Sequence, residues 1–428
     1  MEIKKRIDES KLRKESEEKK IPILEFLFKK FAKNKKTNFT LFAVCPNSET
    51  VLRAAIRAAK RADAPILFVA TLNQVDIDGG YTGWTPKDLI RKIKQESYSI
   101  AYEGPVIVCI DHGGPWVKDR QTIEKWDLYR SMSWTKKSFE AAISAGYDLI
   151  HVDPTVDIYN PIKIDTVVER TIELIYHSET YRKAKKLKPI SYEVGTEEVH
   201  GGLVDINVFK KFLDLLKAEL ERKGLKDVWP IFVVAKIGTD LHTSNFSPKA
   251  AKEVVSIASK YGSFIKGHYT DFVNNLEGYI KSGVGGANVG PEFTVMEFEA
   301  LAKLSQIEEA LFKKNMISIK SNIMKILENA VFDSGRWKKW LIDGEESFNN
   351  LKKDRKEWIV KTSSRYVWAN PEVKNSRNEL YANLKVNGID GENIVLTNIE
   401  KAMDKYFRSF NLLGLNSELE NRPVNDFK

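Results

Sequence analysis

Eight short apolar runs, rich in valine and isoleucine, alternate with helical patterns between residues 40 and 305. They are Thr40–Pro46, Ala64–Thr71, Pro105–His112, Asp148–Thr155, Ile190–Glu197, Trp229–Asp240, Phe264–Asp271 and Gly286–Glu292. The runs are continuous rather than alternating, which is the pattern of strands covered on both faces. Between them lie helical patterns such as Glu49–Arg61, Met132–Ala145, Ile164–His177, Val208–Lys223 and Pro248–Lys260. Eight strands alternating with helices predict an α/β chain built on a (β/α)8 TIM barrel. The eighth run is glycine-rich and short, and a doubly wound open sheet is the structural alternative.

The rest of the chain frames that barrel. Residues 1–36 hold 13 Lys/Arg against 7 Asp/Glu, and residues 37–428 hold 55 against 52, so the arm supplies most of the +9 net charge. A basic arm can bind nucleic acid or acidic lipid, but acidic residues such as Glu15, Glu17 and Glu18 interleave it, and a solvated helix face is expected. Residues 37–305 form the barrel. Residues 306–428 show helical periodicity with Trp337, Trp340, Trp358 and Trp368, and predict a helical appendage whose aromatics form helix core or an interface.

Composition excludes several classes. Apolar residues at 42% and charged residues at 30% fit a globular chain, not a collagenous or disordered one. No run approaches the roughly 18 apolar residues that cross a bilayer, so no membrane partner is expected. Met-Glu-Ile-Lys-Lys at the start is not followed by the apolar core of a signal peptide. Two cysteines, Cys45 and Cys109, make no disulfide framework, and a cytoplasmic location is the expectation.

The chemistry clusters at strand ends. Of six histidines, His112, His151, His242 and His268 lie at or just past the carboxyl ends of proposed strands. His200 follows the fifth, and His177 sits in a helix. In a barrel those ends open onto one face, where active sites form. Asp111, Asp153, Glu193, Glu197, Asp240, Asp271 and Glu292 crowd the same ends, with Asn73, Gln74 and Asn288. Imidazoles with carboxylates suit a divalent ion, zinc first, with manganese, nickel or cobalt as alternatives. Such an ion polarises a carbonyl. Asp111 is the first candidate for acid/base work, the other reading being an aspartate that orients a ligand histidine. Lys236 is a candidate buried cation near the substrate, or a strand residue facing a helix.

Thr71–Pro86 (TLNQVDIDGGYTGWTP) resembles the motif of the GatZ/KbaZ family, the so-called non-catalytic subunits of class II tagatose-1,6-bisphosphate aldolase. Asp111–Pro115 (DHGGP), His151–Thr155 (HVDPT), Tyr192–Glu197 (YEVGTE), His242–Asn245 (HTSN), His268–Asp271 (HYTD), Val289–Pro291 (VGP) and Asn375–Leu384 (NSRNELYANL) agree in order. That family is similar to the zinc-dependent class II fructose-bisphosphate aldolases. The resemblance implies a barrel of the class II aldolase type, with His112, His242 and His268 as metal ligands and Asp111 as proton carrier. Glu193 and Glu197 fall where those aldolases keep functional acids. Asn73, Gln74, His151, Asp153, Lys236, Asp271 and Asn288 are the expected substrate-binding residues.

The departures from that pattern concern phosphate. Backbone N–H groups of glycine-rich turns cradle phosphate in such barrels. Here His268 is followed by Tyr-Thr-Asp, and Gly286–Gly290 has no Lys or Arg beside it in sequence. An unphosphorylated ketose therefore joins the ketose phosphate as expected substrate. Three reaction courses share the same residues: C4 epimerisation of the tagatose/fructose type by retro-aldol and re-addition, aldol cleavage, and direct deprotonation at C4. Some proteins resembling the family are 4-epimerases. The alternatives are an accessory subunit that stabilises a separate class II aldolase chain and, least favoured, nucleic-acid binding by the arm. A homo-oligomer is expected.

Overall fold

Each apolar run forms a strand at its expected place: β1 Leu41–Val44, β2 Ile66–Thr71, β3 Val106–Gly113, β4 Leu149–Val152, β5 Ser191–Gly195, β6 Phe232–Val234, β7 Phe264–Gly267 and β8 Gly286–Val289. The computed structural model describes residues 10–32, 38–195, 205–239, 245–342, 344–345 and 347–420. The strands pair in parallel and in chain order, and β8 closes on β1 with Leu41 opposite Gly286 and Val44 opposite Val289. The closed barrel confirms the TIM-barrel reading over an open sheet. The short glycine-rich run is its closing strand. Side chains of β1, β4 and β8 are buried throughout, as double-sided cover requires.

Before the barrel come α1 Lys11–Glu18 and α2 Ile23–Ala32. Around it run α3 Glu49–Ala62, α4 Pro86–Ser99, α5 Asp119–Ile123, α6 Leu128–Ala145, α7 Ile164–Ala184, α8 Ile206–Arg222, α9 Pro248–Ala258 and α10 Glu277–Ser282. Local chemistry sets their ends. In α3, the Ser48 hydroxyl accepts the Val51 N–H at the amino end, and Asp63 closes the other in a left-handed conformation. In α4, Thr85 and Asp88 form a capping box with Pro86 at the first turn.

The described part of the arm is two-faced: Lys11, Lys14, Glu17, Glu18, Lys19 and Lys20 are exposed, as a solvated face requires, while the opposite face is buried. Leu24, Phe26 and Leu27 of α2 are fully buried. Phe28 stacks on Phe264 at 4.2 Å and meets Phe232 edge-on at 5.6 Å, the first residues of β7 and β6. The arm therefore plugs the amino-terminal mouth of the barrel. Three of its charges turn inward and are paired: Arg13 binds both oxygens of Asp148 at 2.6 and 3.0 Å, and Lys30 binds Glu15 at 2.5 Å.

After the barrel, α11 Pro291–Lys313 continues through residue 305, followed by α12 Ile323–Ser334, α13 Lys353–Ser363, α14 Pro371–Lys385, α15 Gly391–Ser409 and α16 Leu415–Glu420. The α15 helix packs on α3 and α11, and α14 on α12. Trp337, Trp340 and Trp368 are buried within this layer, so they are helix core rather than an exposed interface. No described helix is long and apolar enough to cross a membrane.

Candidate active site at the carboxyl end of the barrel

Strict strand alternation would send Asp111 and His112 to opposite faces. From Ile110 to Gly113, β3 advances three residues while β4 advances two, from Ile150 to Val152. The extra residue is a bulge, and His112 takes a left-handed φ of 50° within it. Both side chains thereby line one cavity of about 270 Å³. The glycines that follow are dictated by the close approach of α6 and of the end of β4. A Cβ on Gly113 would lie 2.4 Å from the Phe139 ring, and one on Gly114 would lie 1.9 Å from the Asp153 carbonyl oxygen.

Two histidines are held from behind by carboxylates. His112 Nδ1 lies 2.6 Å from Asp153 Oδ2. His268, just past β7, has Nε2 at 3.1 Å from Glu193 Oε1. Their other nitrogens face each other, His268 Nδ1 3.1 Å from His112 Nε2. Glu193 is itself fixed by Lys266, whose Nζ donates to Glu193 Oε2 at 2.6 Å with both side chains fully buried. His151, in β4, accepts the His112 backbone N–H on Nδ1 at 3.2 Å. The same Nδ1 lies 3.4 Å from Asp111 Oδ1, while Nε2 is buried without a hydrogen-bond partner. Asn288 donates to Asp111 Oδ1 at 3.1 Å.

Charge follows from these contacts. Burial pushes the Asp111 carboxyl up, but His112 and His268 outweigh it and hold the group well below the usual carboxylate range. Burial also opposes ionisation of Asp153, and the His112 ring brings it down to about 2. Glu193 is lowered against burial chiefly by Lys266, and Lys266 is raised in turn by Glu193. For His112, burial favours the neutral ring, yet Asp111 and Asp153 push it up to about 9.

The donor set fits a divalent ion. Ligand atoms of Asp111, His112, His151 and His268 all lie within 4.8 Å of one another. Two nitrogens that share a tetrahedral zinc at about 2.0–2.1 Å sit about 3.3 Å apart, close to the separation of His112 Nε2 and His268 Nδ1. Carboxylates on the far nitrogens are the usual support of ligand histidines.

The remaining expected residues divide. Asp271 lines the cavity, but its Oδ1 accepts the Gly290 and Glu292 N–H groups at 3.0 and 2.7 Å and so caps α11. Asn73 and Gln74 also line it while bracing loops: Asn73 bonds Val117 O and Asp119 N, and Gln74 bonds Thr71 N and Asn47. Lys236 is half-buried after β6 and does not line the cavity. His242, Glu197, His200 and Asp240 lie outside the described residues. His177 pairs with Glu140 on the helical layer, at 2.8 Å.

Sequence reasoning missed Lys266, although it sits two residues before His268 in a strand with no other charge. It also missed the outer wall of the cavity. Arg336, Lys339, Trp340, Arg365 and Tyr366 come from the appendage, beyond the reach of any strand-end rule.

The D-tagatose-1,6-bisphosphate aldolase subunit GatZ/KbaZ-like family model matches residues 27–411. Among solved structures, a probable tagatose 6 phosphate kinase from Sinorhizobium meliloti is similar with a TM-score of 0.72 and 20% identity, covering 86% of this chain and 100% of its own. A fructose-bisphosphate aldolase from Campylobacter jejuni is similar with a TM-score of 0.53 and 11% identity, covering 92% and 94%. At these identities the two structures share the fold. The family match spans nearly all of the barrel and appendage, and the chain belongs to the D-tagatose-1,6-bisphosphate aldolase subunit GatZ/KbaZ-like family.

Proposed function

We propose that this chain is itself a divalent-metal-dependent enzyme that epimerises a ketohexose at C4, interconverting sugars of the tagatose and fructose type. One observation carries the reading: a buried anionic carboxylate, Asp111, shares a cavity with two histidines whose inner nitrogens lie 3.1 Å apart. A relict site in a pure scaffold has no need of that arrangement. His112 and His268 would hold the ion, with His242 the expected third ligand. When bound, the ion supplies Lewis acidity toward the C2 carbonyl. Zinc suits the imidazole donors best, ahead of manganese, nickel and cobalt.

The chain's own groups do the rest. Asp111 takes the proton from the C4 hydroxyl. The O–H electron pair becomes the new C4 carbonyl, and the C3–C4 bond breaks. Its electrons form a C2–C3 double bond as the C2 carbonyl becomes an enolate oxygen. The aldehyde fragment turns over, C3 attacks its opposite face, and Asp111 returns the proton to O4. Asn288 holds Asp111 by Oδ1, and Oδ2 has no hydrogen-bond partner among the described residues. Escape of the fragments instead gives aldol cleavage.

The word subunit in the family description supports a second reading, an accessory chain for a separate class II aldolase. A carbon NMR time course on the purified chain alone separates them. Tagatose and fructose, each free and 1,6-bisphosphorylated, are supplied with zinc, manganese or nickel. A C4 epimer is expected, and three-carbon products would mean cleavage. No change in folded, metal-loaded protein would leave the accessory role. His112→Ala is expected to lower bound metal, and Asp111→Asn to retain metal while losing at least a hundredfold in turnover.

A further inference from the structure

The glycine turn that would cradle a phosphate in this barrel is already filled. Gly290 and Glu292 spend their N–H groups on the Asp271 carboxylate. An anion entering the cavity must be met elsewhere, and the appendage offers the groups.

Arg365 lies in the short turn after α13. Its guanidinium packs between the Trp340 and Tyr366 rings, 4.7 and 4.8 Å from their centres. Its Nη2 donates to the Tyr366 hydroxyl at 2.7 Å, while Nε is buried with no acceptor. No described carboxylate lies within ion-pair distance of it, although a guanidinium stays charged. Its charge reaches the cavity residues Cys45 and Asp271. Arg336 lies beside it, over the Tyr81 and Tyr366 rings at 5.1 and 4.8 Å, and its Nε is also buried without a partner. Arg336 and Lys339 share a single carboxylate, Asp119. Three cations at this wall thus face one partner. Burial pushes the Tyr366 phenol up, yet Arg365, Lys339 and Arg336 together pull it below its ordinary value. Arg365 and Arg336 are half-buried, a partly desolvated charge without a counter-ion is destabilising, and here it sits in the cavity that holds Asp111, His112 and His268.

We infer that Arg365, with Arg336 beside it, forms an anion subsite that binds the terminal phosphate or carboxylate of the substrate. The inference rests on the proposed ketose reading for the rest of the substrate, but not for the anion itself. Arginine suits both groups because its planar fork matches their oxygens. The ring stacking holds the fork in place before the ligand arrives. The appendage thereby completes the active site and selects a charged sugar over a neutral one.

Calorimetric titration of the full chain with inorganic phosphate, and separately with acetate, tests the subsite without turnover. Phosphate alone binding points to a phosphorylated substrate, and acetate binding as well points to a carboxylate subsite. Arg365→Gln is expected to weaken the bound anion roughly tenfold or more, with Arg365→Lys intermediate. Arg336→Gln, which leaves the Arg365 stack intact, should weaken it less and serves if Arg365→Gln fails to fold. In the NMR assay, Arg365→Gln should raise KM for the charged sugar about tenfold and leave kcat nearly unchanged. Absence of binding by either anion to the wild type, or unchanged affinity in the variants, overturns the inference. Arg365-dependent anion binding without turnover of any sugar would sink the epimerase proposal and leave the subsite standing.

Discussion

At the residue scale, the strand-end histidines show what a sequence reveals and what it conceals. The Asp111-His112 pair was legible because a strand ended there. That both side chains reach one cavity depends on a bulge, and a bulge is a property of two strands in register. Lys266 escaped notice because a lone lysine in a strand reads as an outward residue, whereas its partner Glu193 lies across the barrel interior. Asp271 was legible as a site acid but not as a cap, because the N–H groups it binds belong to residues 19 and 21 positions away. That role has a measurable consequence. Burial and the neighbouring Glu292 charge, set against the two N–H bonds, raise the Asp271 carboxyl to about 7. Its unfolded value is near 3.9. Between those values the folded chain keeps a proton that the unfolded chain has released, so this group's contribution to stability falls as pH rises from about 4 to 7. Asp271→Asn keeps an acceptor for Gly290 and Glu292 without a charge to bury. Urea midpoints should show the variant gaining on the wild type across that window. A constant difference between the two would mean that Asp271 titrates as an ordinary aspartate.

At the element scale, period located the helices, while charge described only one face of the arm. Its helical period was correct. Its basic residues suggested water, yet Arg13 and Lys30 are buried beside Asp148 and Glu15. The partner of Arg13 lies 135 residues away, so composition within the arm could not expose the pairing. The apolar positions of α2 were the better guide: Phe26 and Phe28 close the end of the barrel opposite the site. Phe28→Ala removes a ring that contacts Phe39, Phe232 and Phe264. Its expected cost is about 3–5 kcal/mol, read from the urea midpoint. Because the plug lies at the far mouth, the folded variant should match the wild type in metal binding and in the proposed turnover. A loss under 1 kcal/mol would show that α2 merely rests on the barrel.

At the scale of the whole molecule, the rhythm of eight strands gave the barrel, and nothing in the rhythm gave the position of the appendage. That position gives the appendage a share of the core and of the cavity wall. Phe42 of β1 stacks on Tyr406 at 5.0 Å and meets Phe407 edge-on at 5.1 Å, both from α15. Tyr406 donates to Glu292 at the start of α11, and Arg336 reaches Asp119 just after β3. The two regions thus share apolar core as well as the cavity wall, with α11 continuous between them. Cooperative unfolding follows from a shared core, since exposing one region strips the other of buried apolar surface. Calorimetry of the full chain should show barrel and appendage melting in one transition, and ending the chain at residue 305 should cut α11 and yield no cooperative transition. Two separable transitions, or a folded 1–305 fragment, would make the appendage an independent domain. In that case the cations of the outer wall would be free to swing away from Asp111, His112 and His268. A single transition ties the anion subsite rigidly to the barrel chemistry.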